Sequence, residues 1–250
     1  MNLNGAVRLM TEVIVASLPG NKPTIYLYGS VASEDFKLGW SDIDILVLTE
    51  HEVTQHQANI LVELRQSMLQ RYPSNPYFRL FEGGIIAADA FLQGISSRTV
   101  YWGTSGQRIA DSYKLDSFGM ADLLDRGILL HGNDIRCHMA YPTYEQLRHD
   151  VASHTIAARE HGKTIGWLLD IARGVYTLRT GKIIAKTAAG EWALETDIFP
   201  NKAALHKAVE IRKNPCEFSY EDKYLANEII HQYADVLEGE LNHERAENHV

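Results

Sequence analysis

The segment that most restricts how this chain can fold is Ile25-Tyr26-Leu27-Tyr28-Gly29-Ser30, followed eleven positions later by Ser41-Asp42-Ile43-Asp44-Ile45-Leu46-Val47-Leu48. Two short apolar runs of this kind read as buried strands, and the first ends in a Gly-Ser pair small enough for a sharp turn. Side chains alternate across a strand, so Asp42 and Asp44 share one face. Two carboxylates on one face of a rigid element suit Mg²⁺, which takes one or two carboxylates, keeps waters and bridges to substrate phosphates. Gly29 lets the backbone approach a phosphate oxygen, and Ser30 adds a hydroxyl and an amide at the expected start of a helix. Asp-x-Asp alone more often marks a solvated strand end. In the order strand, Gly-Ser, spacer, Ser-Asp-x-Asp, strand, the pattern predicts a magnesium-dependent phosphoryl-transfer site.

The rest of the chain divides into two textures. Residues 6–18 have helical spacing ended by Pro19-Gly20, strands are expected at 23–29 and 42–48, and Val53 to Arg71 reads as an amphipathic helix. A third strand is expected at 77–88, irregular chain from Gly94 to Ser105, a helix at 117–126 and a short apolar strand at 128–130. This alternation predicts an α/β domain with a mixed sheet. After Pro142 the spacing is helical throughout, over 143–160, 163–180, 185–195, 202–213 and 220–246, with Pro200 and Pro215 as punctuation. The expected organisation is a catalytic α/β domain at 1–142 and an all-α helical bundle at 143–250, with the substrate cleft between them.

Glu82 interrupts an otherwise apolar strand, where a charge needs a partner, a metal or a water-filled cleft to offset its desolvation. Asp89 is the alternative should the strand register differ. Trp102, in Tyr101-Trp102-Gly103, is expected in a loop as a substrate contact, whereas Trp192 is expected to pack in the helical core. His149, His154 and His161 lack the i, i+4 spacing of a helical metal pair, so zinc is not expected. A net charge of −8 argues against a nucleic-acid partner and fits a cationic small molecule. Cys137 and Cys216 form no disulfide or zinc pattern, and neither a signal peptide nor a membrane span is expected. A cytoplasmic protein fits these features; its oligomeric state is not encoded in them.

Gly29-Ser30 followed at this distance by Asp42-x-Asp44 resembles the polymerase-beta-like nucleotidyltransferase superfamily. Ile171-Ala172-Arg173-Gly174-Val175-Tyr176, Thr180-Gly181-Lys182-Ile183, Lys186 and Ala189-Gly190-Glu191-Trp192-Ala193 resemble the helical domain of the adenylyltransferases that modify streptomycin and spectinomycin. The resemblance implies transfer of an adenylyl group from ATP to an acceptor hydroxyl. Asp42 and Asp44 would hold Mg²⁺, Gly29 and Ser30 the phosphates, and Glu82 would serve as general base or metal ligand. Lys186, or Lys182 four residues earlier, would reach the nucleotide phosphates. The chain departs from the family where an acid-rich Gly-Asp-Glu-Arg stretch is expected, reading His161-Gly162-Lys163-Thr164. Glu160, Asp170 or Glu191 would then have to meet a cationic drug. The acceptor therefore stays open between an aminoglycoside, a lincosamide and a protein side chain, with a non-catalytic nucleotide-binding regulator as the alternative of a different class.

Overall fold

Six short segments of the first half pair into one mixed sheet: β1 (Pro23–Tyr28), β2 (Ile43–Thr49), β3 (Phe81–Ala87), β4 (Thr99–Gly103), β5 (Gly106–Ala110) and β6 (Ile128–His131). Their order across the sheet is β5-β4-β3-β2-β1-β6. The structure, a computed structural model, describes residues 1–103 and 106–247. It divides into two compact units, residues 1–34 with 41–141 and residues 35–40 with 142–250.

Only β2 and β3 run parallel, and parallel neighbours need a crossover, here helix α3 (Gln55–Arg71). That helix starts where the sequence reads Thr-x-x-Gln: Thr54 and Gln57 cap each other's backbone amides. The same device, Thr143 with Gln146, starts the first long helix of the second unit. Helix α1 (Leu3–Ala16) precedes the sheet, α2 (Gly29–Ala32) is a single turn at the end of β1, and α4 (Ala88–Gln93) and α5 (Ser117–Arg126) complete the unit.

Alternation along β2 builds the core and the site together. Ile43, Ile45 and Val47 are buried toward one face. On the other face Leu46 and Leu48 join Tyr26, Tyr28, Ile86, Leu115 and Leu123 in an apolar cluster. At the entry to β2 that second face changes from apolar to acidic, with half-buried Asp42 and Asp44. The acids thus begin where the apolar layer ends.

Several expectations need correction. Phe78–Leu80 is a 3₁₀ turn and α4 begins at Ala88, so β3 is shorter than the apolar run; Gly and Phe neighbours extended the pattern without extending the ladder. The stretch from Gly94 contains β4, and β5 follows; Thr104 and Ser105, at the end of that expected loop, lie outside the described residues. The Gly, Ser and Thr residues of that stretch read as turn composition and hid the β4–β5 pairing, which runs from Thr99 with Ala110 to Gly103 with Gly106. In the second unit, residues 163–165 make a bridge and hydrogen bonds with 223–225, delaying the helix there to Gly166.

The second unit contains α6 (Tyr144–His161), α7 (Gly166–Thr180), α8 (Lys186–Glu195), α9 (Lys202–Lys213) and α10 (Asn227–Glu247), with α7 touching all four others. Gly190 has van der Waals room for no side chain: a Cβ there would lie 2.6 Å from Leu169 and Val209, so α8 packs tightly on α7 and α9. Trp192 stacks edge-on with Tyr176 and Phe199 as part of this core. Residues 35–40, which the sequence presents only as spacer between Gly-Ser and Asp-x-Asp, belong to this unit. Asp35 accepts from the Arg212 guanidinium at 2.9 Å and from the Thr187 hydroxyl at 2.6 Å, and Arg212 also lies 5.6 Å over the Trp40 ring.

Burial pushes the Asp35 carboxyl upward, but the Thr187 and Arg212 hydrogen bonds outweigh it and hold Asp35 below its ordinary value. Asp35→Asn would remove the carboxylate charge that the buried Arg212 guanidinium meets at 2.9 Å, at a cost on the order of 3 kcal/mol. Because the folded-state value is depressed, the wild-type advantage is present above the unfolded carboxylate range and fades as pH falls through the folded value. Chemical denaturation at pH 7 and pH 3 should therefore show a large difference between the two proteins at the first pH and a smaller one at the second.

Candidate active site

The Gly29 turn exists because β1 must stop against Asp44. Gly29 has φ +70°, and a Cβ there would lie 2.1 Å from Asp44 Oδ2, so the carboxylate occupies the space any other residue would fill. The Ser30 hydroxyl donates to the Asp42 carbonyl at 3.2 Å, tying the turn to the entry of β2. The Gly29 amide donates to Asp122 Oδ2 at 2.6 Å. Asp122 is itself gripped by Arg126 at 2.8 Å and 2.5 Å to its other oxygen. In this structure a protein carboxylate, not open space, therefore faces the amide expected to meet phosphate. Sequence reasoning missed Asp122. The signal was an acid on the buried face of α5 with an arginine four residues on.

The parallel register places Asp44 directly beside Glu82, and Asp42 two residues upstream on the same face. Burial, then the charge of Asp42, pushes the Glu82 carboxyl up to about 7 against the opposing pull of Arg65. Arg65 was likewise missed, because an arginine on an amphipathic helix reads as solvated. It is buried instead, donating to the Phe81 carbonyl at 2.8 Å and the Gly103 carbonyl at 3.1 Å, one residue from Glu82. Desolvation lowers its affinity for the proton, while Glu82 and Asp42 oppose that fall.

Among the described residues no three acidic, histidine or cysteine side chains converge to hold an ion. Without a cation, like charges on adjacent strands repel, and Asp42, Asp44 and Glu82 are not drawn together into such a set. The aspartate pair alone still fits Mg²⁺, whose remaining ligands are ordinarily waters and phosphate oxygens. Asp89 is exposed in the first turn of α4, at the other end of β3 from Glu82 and about 20 Å along the strand, which removes it as the alternative base. Trp102 is not a substrate contact. It is fully buried in β4, donating its indole N–H to the Leu61 carbonyl of α3 at 2.9 Å, because strand alternation turns it away from the acidic face.

Residues 13–76 match the nucleotidyltransferase domain model, and residues 143–236 match the model of the aminoglycoside adenylyltransferase C-terminal domain. The chain is an aminoglycoside adenylyltransferase-like nucleotidyltransferase. Its fold is similar to that of the spectinomycin adenyltransferase AAD(9) from Enterococcus faecialis, solved with ATP and spectinomycin: 17% identity, TM-score 0.71, over 96% of this chain and 100% of that one. A comparison with curated proteins found no match.

Within the aminoglycoside adenylyltransferase C-terminal span, Lys186 opens α8 and pairs with Asp170 at 2.9 Å, and Arg173 holds the same carboxylate at 3.2 Å. Burial raises the Asp170 carboxyl, but Lys186 and Arg173 pull it below its ordinary value, so this acid is ionised. Lys182 is exposed in the turn after α7 rather than on a helix, since Gly181 ends α7 in a left-handed cap. Glu191 is exposed on α8 and paired with Lys213 at 2.5 Å.

Two outcomes follow from this geometry. Gly29→Ala should displace Asp44 and abolish turnover at least a hundredfold, with the secondary structure seen by circular dichroism intact; near-normal activity would contradict the close approach. Glu82, raised in the folded state, contributes stability below the ordinary carboxylate range that is lost as pH rises through about 7. Metal-free Glu82→Gln should accordingly melt higher than wild type at pH 8 and equal to it near pH 4, in thermal scans at both values.

Proposed function

We propose that this enzyme transfers an adenylyl group from ATP to a hydroxyl of a small, cationic, aminoglycoside-like acceptor, with release of pyrophosphate. The observation that carries this reading is the pairing of Asp44 with a desolvated Glu82 across parallel strands, beside the Gly29-Ser30 turn. Support for the acceptor class comes from the C-terminal domain match over residues 143–236. The solved neighbour's spectinomycin and ATP point the same way.

Asp42 and Asp44 would hold Mg²⁺, which when bound neutralises charge on the triphosphate. Glu82, poised near neutrality, accepts the proton of the acceptor hydroxyl. That oxygen forms a bond to the α-phosphorus as the bond from the α-phosphorus to the bridging oxygen breaks, and the electron pair leaves with pyrophosphate. Ser30 holds the backbone of Asp42 in place, and Arg65 fixes the strand that carries Glu82. Positioning and charge neutralisation supply most of the acceleration, and the base adds about 10²- to 10⁴-fold. Lys186 is proposed as the phosphate partner from the helical domain. The ionised Asp170 offers the carboxylate for a cationic acceptor that Lys163 does not. A cytoplasmic location, with neither nucleic acid nor membrane as partner, belongs to the same reading. No helix among the described residues is long and apolar enough to cross a membrane.

Purified protein incubated with MgATP and streptomycin, spectinomycin, other aminoglycosides or lincosamides should give a drug-adenylate by mass and pyrophosphate in solution. Asp44→Asn should lower turnover at saturating Mg²⁺ by several orders of magnitude while the protein stays folded. Adenylation of a lincosamide alone would replace the acceptor, and an active Asp44→Asn protein would remove the metal assignment.

A further inference from the structure

On the sheet face that carries Asp44 and Glu82, two glycines make room for two tyrosine rings laid against the strands. A Cβ on Gly84 would lie 2.3 Å from the Tyr113 ring, and a Cβ on Gly103 would lie 2.1 Å from the Tyr101 hydroxyl. Tyr101 is half-buried on β4, and its ring runs along the strand toward Gly103 instead of standing out from the sheet. The register Gly84 to Tyr101 and Gly83 to Trp102, continued by one residue, puts Gly103 opposite Glu82. Arg65 ties these two positions together through the Phe81 and Gly103 carbonyls. The phenol oxygen of Tyr101 thus ends over the strand position that faces the proposed base.

The ring has two close neighbours. The Arg108 guanidinium lies 4.3 Å from its centroid, and the Tyr113 ring is 6.3 Å away, itself linked to Tyr28 through their hydroxyls at 3.3 Å. The Tyr101 hydroxyl makes no hydrogen bond among the described residues. An aromatic face with a polar tip supplies both apolar contact area and a hydrogen-bonding group. Adjacent strands run about 4.8 Å apart. Two vicinal polar groups on one saturated ring can bridge that span, each with a hydrogen bond of about 2.8 Å.

We propose that Tyr101 orients the acceptor: its hydroxyl binds the hydroxyl or amine vicinal to the attacked hydroxyl, its ring takes the hydrocarbon face, and the attacking oxygen is thereby presented to Glu82. The acceptor class becomes a saturated ring bearing a vicinal diol or amino alcohol. This assignment rests on the adenylyl-transfer reading above.

Tyr101→Phe keeps the ring and its stacking and removes only the oxygen. With an aminoglycoside that wild type adenylates, the variant should raise KM for the acceptor about tenfold, the scale of one hydrogen bond, with KM for ATP and the melting midpoint unchanged. An acceptor analogue lacking the vicinal group should bind wild type and variant equally. Equal acceptor KM for the natural drug in both proteins, or a loss confined to ATP affinity or thermal stability, overturns the role of Tyr101 alone. Absence of transfer by wild type to any acceptor overturns the adenylyl-transfer reading, and this assignment falls with it.

Discussion

The parallel pairing of β2 with β3 is the constraint from which the active face follows. It sets Asp44 beside Glu82 on a partly desolvated surface, with Asp42 next along the same face. Burial first, and then the charge of Asp42, raises the proton affinity of Glu82. The fold offsets part of this strain with Arg65, a buried guanidinium that reaches from α3 to the carbonyls flanking the site. Poised charge at a functional surface, held by structure that does not itself react, is the usual arrangement where a carboxylate must change protonation near neutral pH.

Glycine is used on this face as absence of side chain more than as flexibility. Gly29 accommodates the Asp44 carboxylate, Gly84 the Tyr113 ring and Gly103 the Tyr101 hydroxyl. Each lets a functional or aromatic group lie where a Cβ would stand. The same logic holds in the helical unit at Gly190, where the groups admitted are Leu169 and Val209. A close backbone is what lets both units place large side chains without opening cavities.

The helical unit carries its own charge problem. Asp170 is shared by Lys186 and Arg173, so the lysine matched to the family's phosphate partner is held by a carboxylate in this structure. In the function proposed above, a phosphate at Lys186 would exchange one anion for another rather than recruit a solvated ammonium. Residues 35–40 add a buried pair, Asp35 with Arg212, from a segment that in sequence lies between the two halves of the nucleotide motif.

The longer helices, four of the six strands, the order of an α/β unit before a helical one and the Gly-Ser and Asp-x-Asp elements were legible from sequence, because amphipathic period, caps and turn residues act over a few neighbours. Helix α9 and helix α5 fall where periodicity alone places them, at 202–213 and 117–126. Asp42, Asp44 and Glu82 could be singled out because a charge inside an apolar strand is locally anomalous. Arg65, Asp122 and Tyr101 gave no such anomaly, and Trp102 gave a misleading one. Their roles depend on which strand lies beside which and which face a helix buries. Those are long-range pairings, and they decided that Trp102 is core, that Glu82 lies beside Asp44, and that the spacer at 35–40 belongs to the helices.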